Sequence, residues 1–117
     1  MKTEKNNTSF VLIESAEQVI TDVQSALDLI VNAYYEAGTK NIVIDKRLIN
    51  EDFFVFSTGF AGEVLQKFIN YGGRIAIYED YSGYTSKPLK DFIYESNKGK
   101  EVFFASSKEE AIEMLTR

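Results

Sequence analysis

The chain has 117 residues, of which 44% are hydrophobic, and its formal net charge is -5. This length and composition suit one domain with its own core, and we expect a single domain over residues 1–117. The chain has no Cys and no His, which excludes a disulfide framework, a thiolate zinc site and a histidine general base. The acidic balance disfavours nucleic-acid binding, which depends on neutralising phosphates.

The first segment predicts a β-hairpin. Residues 2–5 and Thr8 to Glu14 flank Asn6 and Asn7, and paired asparagines tolerate the positive φ of a tight turn. Phe10 to Ile13 is an uninterrupted apolar run, as in a strand that is covered on both faces. The run is too short for a signal peptide or a membrane span, so we expect a soluble cytoplasmic protein without a membrane partner.

A first long helix is predicted next. Thr21 to Gln24 has the pattern of a capping box, with the Thr21 hydroxyl as the N-cap and Gln24 reaching back. Gly38 stands where a left-handed C-cap is expected. Apolar residues at helical spacing predict the buried face of this helix: Val23, Ala26, Leu27, Ile30, Val31 and Tyr34.

The middle of the chain predicts a strand, a short turn and a second long helix. Asn41 to Asp45 has the composition of a short buried strand, and Asn50 to Asp52 can cap one helical turn. The phenylalanines among residues 53–56 should be buried. The helix begins after Thr58 and ends at Gly72-Gly73. Its predicted inward face comprises Phe60, Ala61, Val64, Leu65, Phe68 and Ile69.

The last third predicts two more strands and two more helices. Arg74 to Tyr78 and Val102 to Ala105 are the strands. Thr85 or Ser86 caps a third helix that has Pro88 in its first turn and ends at Gly99, and a short final helix ends near Leu115. The order is β-β-α-β-α-β-α-β-α, which predicts an α/β fold with a mixed, mainly parallel sheet of about five strands and about four helices.

This order and one turn resemble the STAS fold, that of sulfate transporter and anti-sigma factor antagonist domains. The carrying residues are Ser57-Thr58-Gly59, which match the Asp-Ser-Ser/Thr-Gly turn that opens a helix in that family, and Gly72-Gly73 before a strand. In the anti-sigma factor antagonists a partner kinase phosphorylates the second hydroxyl, so the resemblance implies that Thr58 accepts phosphate. The chain departs from the family's turn at its first position, where Phe56 replaces the acidic residue. Kinase recognition that uses this carboxylate is therefore not implied here.

Three longer segments are similar to a bacterial family catalogued as domain of unknown function 4180. They are Asp22 to Leu29, Thr58 to Phe68, and Tyr84 to Asn97. This resemblance covers almost the whole chain, and it implies a family rather than an activity.

The first candidate site is the turn Ser57, Thr58 and Gly59. In a mainly parallel sheet the loops after the strands converge, and ligands bind there. A hydroxyl at a helix N-terminus can accept phosphate, contact an anion or simply cap the helix. A phosphate on Thr58 would add negative charge to an acidic surface and weaken docking to an acidic partner.

The second candidate site is the loop Tyr84, Thr85, Ser86 and Lys87. A hydroxyl at a helix start with a lysine beside it suits a phosphate or carboxylate, whereas a capped helix with a solvated lysine is the simpler interpretation. The further lysines Lys90, Lys98 and Lys100 form a basic patch, but the acidic residues between them indicate a solvated face.

Two other groups of residues have the chemistry of a site. Asp45, Glu79 and Asp80 carry oxygen ligands of the kind that Mg²⁺ prefers, but the acidic pair after an early strand is missing, so we expect no metal and no cofactor. Tyr81 and Tyr84 lie in a predicted loop, and an exposed aromatic cluster there would suit protein docking or a homodimer.

Two functions follow from these patterns. The first is a non-enzymatic protein-interaction or regulatory module that phosphorylation of Thr58 switches, with an unidentified protein partner. The alternative is a small-molecule or anion binder, or an enzyme, that uses the carboxyl ends of the strands with Asp45, Glu79 or Lys87. A closed pocket between the second and third helices would favour the alternative.

Overall fold

The computed structural model describes residues 2–5, 7–55, 58–83 and 86–117. Within these residues the chain forms five strands and four helices, which confirms the predicted class and order. The strands are β1 (Lys2–Lys5), β2 (Thr8–Leu12), β3 (Asn41–Asp45), β4 (Arg74–Tyr78) and β5 (Val102–Ala105), and the helices are α1 (Val23–Ala37), α2 (Phe60–Asn70), α3 (Lys87–Lys98) and α4 (Lys108–Thr116).

The strands lie in the sheet in chain order, from β1 to β5. β1 pairs antiparallel with β2 through the predicted hairpin, where Asn7 has a φ of 64°. The other three pairings are parallel, and their register aligns Ile42 with Val11 on one side and with Ile75 on the other. Ile75 in turn pairs with Val102, so one row of apolar side chains crosses the four parallel strands.

The pleat sends alternate residues of each strand to opposite faces of the sheet. The row that contains Ile42 and Ile75 belongs to the larger core cluster, which also holds Ile30 of α1, Phe68 of α2 and Leu89 of α3. The next row belongs to a smaller cluster that α4 covers: Phe10, Val43, Ala76, Phe103, Ala105, Ala111 and Leu115. Both faces of the parallel strands are therefore buried, which explains their continuous apolar sequences.

Helix α1 differs from the prediction at its start. Its N-cap is Asp22 rather than Thr21, and the capping box uses Ser25 rather than Gln24. The Asp22 carboxylate accepts the Ser25 N–H at 2.7 Å, and the Ser25 hydroxyl accepts the Asp22 N–H at 3.0 Å. The predicted C-cap is confirmed, because Gly38 has a φ of 71° and donates to the Tyr34 carbonyl.

The buried face of α1 is also rotated from the predicted one. Ala26, Ile30 and Ala33 are buried, whereas Val31 is 47% and Tyr34 56% exposed. Both sets of residues have helical spacing. The buried set belongs to the larger core cluster, and α1 packs mainly against α2, which the apolar pattern alone does not indicate.

Helix α2 begins and ends on glycines with positive φ. Gly59 is its N-cap with a φ of 74°. At the other end Gly73 donates to the Phe68 carbonyl and Gly72, with a φ of 73°, donates to the Ile69 carbonyl. This is a Schellman motif, which turns the chain into β4. Of the predicted inward face, Ala61, Val64, Leu65 and Phe68 are buried. Phe60 is partly buried, and Ile69 is 47% exposed.

The outer edge of β5 is closed by a side chain of α3. Asn97 accepts the Phe104 N–H at 2.7 Å and donates to the Phe104 carbonyl at 3.0 Å, as a neighbouring strand would. Helix α3 itself starts at the N-cap Ser86, which confirms one of the two predicted caps; Thr85 lies outside the described residues.

Candidate functional site

Two depressions lie on the segments that follow the strands in the described part of the chain. The first, called here the Thr58 depression, has a volume of about 210 Å³ and is lined by Thr21, Asn50, Asp52, Thr58, Phe60 and Glu63. The second, called the strand-end groove, has a volume of about 430 Å³ and is lined by Ile13, Glu14, Ser15, Ala16, Asp45, Arg47, Leu48 and Tyr78.

The Thr58 hydroxyl connects the segment before α2 to the start of that helix. It is within donor distance of two carbonyl oxygens, Asp52 at 2.8 Å and Val55 at 2.9 Å, and its oxygen accepts the Phe60 N–H at 3.2 Å. Asp52 belongs to a 3₁₀ turn, Glu51–Phe54, that the Asn50 side chain caps as predicted. One exposed side chain thus holds three backbone groups from both sides of the turn.

Thr58 is not the N-cap of α2, since Gly59 occupies that position without a side-chain hydrogen bond. Its hydroxyl nevertheless satisfies the first helical N–H, that of Phe60, so it performs part of the predicted capping role from one residue earlier. The other two residues of the turn motif, Phe56 and Ser57, lie outside the described residues.

The charges around the Thr58 depression are negative. Asp52 and Glu63 line it, and its described lining contains no Lys or Arg. The N-terminus of α2 favours negative charge, but two carboxylates already offset that field. The lining therefore weighs against a resident anion at Thr58.

The second predicted loop is described only in part, because Tyr84 and Thr85 lie outside the described residues. The Ser86 hydroxyl accepts the Leu89 N–H and caps α3. The Lys87 ammonium pairs with Asp91 one turn later at 2.8 Å, and both side chains are largely exposed. This exposed pair on one helix matches the simpler interpretation, that of a capped helix with a solvated lysine.

The strand-end groove holds groups that the sequence did not bring together. The Asp45 carboxylate accepts the Arg47 N–H at 2.9 Å and the Arg47 Nε–H at 3.0 Å. The sheet register places Asp45 beside Tyr78. Burial raises the pKa of the Tyr78 phenol, the charges of Asp45, Glu14 and Glu109 raise it further, and Arg47 lowers it. Of the residues that line this groove, the sequence analysis indicates only Asp45 as a candidate site residue. It misses Arg47, although an arginine two residues after the end of a strand is a sequence feature that could have indicated the site.

Tyr81 does not form the exposed aromatic surface that its loop position suggested. Its hydroxyl donates to the Ile77 carbonyl at 3.1 Å, and its ring packs 5.9 Å from Phe104 and 6.3 Å from Phe54. Burial raises the pKa of this phenol, with smaller contributions from Glu79 and Asp45. Tyr81 is therefore partly buried and packs against the core, and Tyr84 lies outside the described residues.

The remaining features concern metal binding, membrane spans and the space between α2 and α3. In the described residues no group of three acidic side chains is placed to hold a metal ion, and no helix there is long and apolar enough to cross a membrane. Between α2 and α3 lies a groove of about 330 Å³, lined on its apolar side by Leu65, Ile69, Phe92 and Val102. This groove is open rather than closed.

Comparison with known proteins identifies the family. The model of the family described as "Domain of unknown function (DUF4180)" matches residues 5–115. The comparisons with curated proteins and with solved structures found no match. The family match covers the whole sheet from the end of β1 and all four helices up to the last turn of α4, and the chain therefore belongs to the DUF4180 family.

Proposed function

We propose that this domain is a non-enzymatic protein-interaction module whose contact surface is regulated by phosphorylation of Thr58. The observation that carries the proposal is the position of the Thr58 hydroxyl, which is exposed and yet bonded to backbone groups on both sides of a turn. The resemblance of Ser57-Thr58-Gly59 to the STAS turn points to the same residue.

Phosphorylation would change this local bonding because the phosphorylated oxygen has no proton to donate. The carbonyls of Asp52 and Val55 share the single hydroxyl proton and would lose it, and the loss of that bond costs about 0.5–1.5 kcal/mol. The phosphate would also bring a charge of about -1.5 to -2 next to the carboxylates of Asp52 and Glu63. Both effects favour a different arrangement of residues 52–58.

The side chains that flank Thr58 are suited to a partner. Val55 is 49% exposed, and Phe60 is partly exposed in the wall of the Thr58 depression. Exposed apolar groups with a polar rim are typical of protein-binding surfaces. Since Val55 is bonded through its carbonyl to the Thr58 hydroxyl, a change at Thr58 moves part of this surface directly.

The proposal is tested by co-purification of the tagged full chain from its native cells, with variants that separate the two effects. Thr58→Glu removes the hydroxyl and adds charge. Thr58→Val removes the hydroxyl, and with it the donor to Asp52 and Val55 and the acceptor of the Phe60 N–H, without adding charge. Thr3→Glu adds the same charge at an exposed threonine of β1 and is the matched control. We expect one partner to be retained by the wild type and by Thr3→Glu, reduced with Thr58→Val and lost with Thr58→Glu.

The regulatory proposal is contradicted if the same proteins are recovered in the same amounts with all four chains. It is also contradicted if Thr3→Glu has the same effect as Thr58→Glu, because added charge anywhere on the acidic surface would then be sufficient.

A further inference from the structure

The strand-end groove has the location and size of a small-molecule site. It lies where β2, β3 and β4 end, between the segments that begin at Ile13, Asp45 and Tyr78. Ligands of open α/β sheets bind outside the carboxyl ends of the strands. Its volume of about 430 Å³ falls within the range of about 300–1,000 Å³ that is typical of ligand sites.

The groups in this groove that are free to bind a ligand differ from the groups that merely line it. Both oxygens of Asp45 are already occupied, by the N–H and the Nε–H of Arg47. Arg47 uses only Nε in this pair, so its two Nη groups stay available on a side chain that is 76% exposed. In the described part of the chain, neither the Glu14 carboxylate nor the Tyr78 hydroxyl has a hydrogen-bond partner.

The groups available to a ligand are therefore the Glu14 carboxylate, the two Nη groups of the Arg47 guanidinium and the Tyr78 phenol. Glu14 and Arg47 carry opposite charges, and both act on the Tyr78 phenol, whose pKa Glu14 raises and Arg47 lowers. Glu14, Arg47 and Tyr78 all line this groove. The Asp45–Arg47 pair is neutral overall, which leaves Glu14 to attract a cationic group and the Nη edge to attract a carboxylate.

We propose that the strand-end groove binds a free amino acid with an apolar side chain, as the zwitterion. The ligand carboxylate lies on the Nη groups of Arg47, and the ammonium group donates to Glu14 and to the Tyr78 hydroxyl. Ile13 and Leu48 supply the apolar wall for the side chain. This site is separate from Thr58, so the inference stands independently of the proposed function.

The test is a titration of the ¹⁵N-labelled full chain with L-alanine, L-valine and L-leucine, followed by amide chemical shifts. Two fragments of leucine each lack one of its charged groups: 3-methylbutylamine lacks the carboxylate, and 4-methylpentanoate lacks the ammonium group. We expect saturable shifts at residues 13–16, 45–48 and 78–79 with at least one amino acid. Each fragment should bind about tenfold more weakly than leucine, since each loses one charged hydrogen-bonding group.

Two variants assign the charges. Glu14→Gln should weaken the binding of leucine about tenfold and leave the affinity for 4-methylpentanoate unchanged. Arg47→Gln should weaken the binding of leucine and leave the affinity for 3-methylbutylamine unchanged. Glu14 is exposed, so its substitution should not disturb folding, and the dispersion of the amide spectrum checks this. Glu36→Gln, at an exposed carboxylate of α1, is the matched control and should bind like the wild type.

The inference is overturned if none of the three amino acids gives saturable shifts. It is equally overturned if the shifts map to other residues, if either fragment binds as tightly as leucine, or if Glu14→Gln and Arg47→Gln leave the affinity unchanged.

Discussion

The side chain that closes the sheet edge offers a quantitative test of the fold. Asn97 of α3 makes two hydrogen bonds to the backbone of Phe104 in β5, at 2.7 Å and 3.0 Å. The substitution Asn97→Ala removes both and leaves a partly buried N–H and carbonyl without a partner. At about 1 kcal/mol for each bond the loss is about 2 kcal/mol. Alanine recovers about 0.5 kcal/mol through its higher helix propensity.

The net expectation is that Asn97→Ala lowers the free energy of unfolding by about 1.5 kcal/mol. For a chain of this size that corresponds to a fall in Tm of roughly 6 °C. Urea denaturation followed by circular dichroism measures the change, and the slope of the transition should stay the same because the surface exposed on unfolding is nearly unchanged.

Asn70→Ala is the control for this substitution. Asn70 is exposed, and among the described residues its side chain accepts only from Gln66 on the same helix, at 2.8 Å. Its loss should cost less than about 0.5 kcal/mol. The reasoning about the sheet edge is refuted if Asn97→Ala is no more destabilising than Asn70→Ala.

Two further predictions concern a helix end and a buried phenol. Gly72→Ala should lower the free energy of unfolding by about 1 kcal/mol, because Gly72 has a positive φ of 73°. Gly62→Ala should raise the free energy of unfolding by up to about 1 kcal/mol, because Gly62 lies within a helix and an added Cβ meets nothing within 4 Å. Equal effects of the two substitutions in urea denaturation would contradict this expectation. Burial raises the pKa of Tyr81 above the value of about 10 expected in the unfolded chain, so the folded state holds this proton at alkaline pH and loses stability as the pH rises above about 10. Tyr81→Phe should flatten that decline in denaturation curves measured across the alkaline range, and an unchanged slope would count against a buried phenol.

The elements of this fold are largely predictable from the sequence because strong local signals mark them. The apolar runs around Ile42 and Ile75 are continuous, as expected for strands buried on both faces, and Gly38 and Gly72 mark helix ends through positive φ. The orientation of α1 was not predictable. Its two apolar stripes have the same spacing, and only packing in the tertiary fold, chiefly against α2, selects the one that contains Ala26.

The candidate sites are also predictable only in part, since their positions follow from local sequence but their contacts depend on the tertiary fold. The position of Thr58 before a helix follows from its local turn, but its bonds to Asp52 and Val55 depend on how a 3₁₀ turn folds back over six residues. Arg47 and Tyr78 meet only because parallel pairing aligns β3 with β4. A register between strands that are more than thirty residues apart has no local signature in the sequence.

The central claim is that Thr58 is the phosphate acceptor of this domain, and mass spectrometry of the chain purified from its native cells tests it most directly. Fragmentation that preserves the phosphate must distinguish Thr58 from the adjacent Ser57. We predict a singly phosphorylated form with the modification on Thr58, in a fraction that changes with growth conditions. A Thr58 that stays unmodified under every condition, or a phosphate found only on Ser57, would contradict the account.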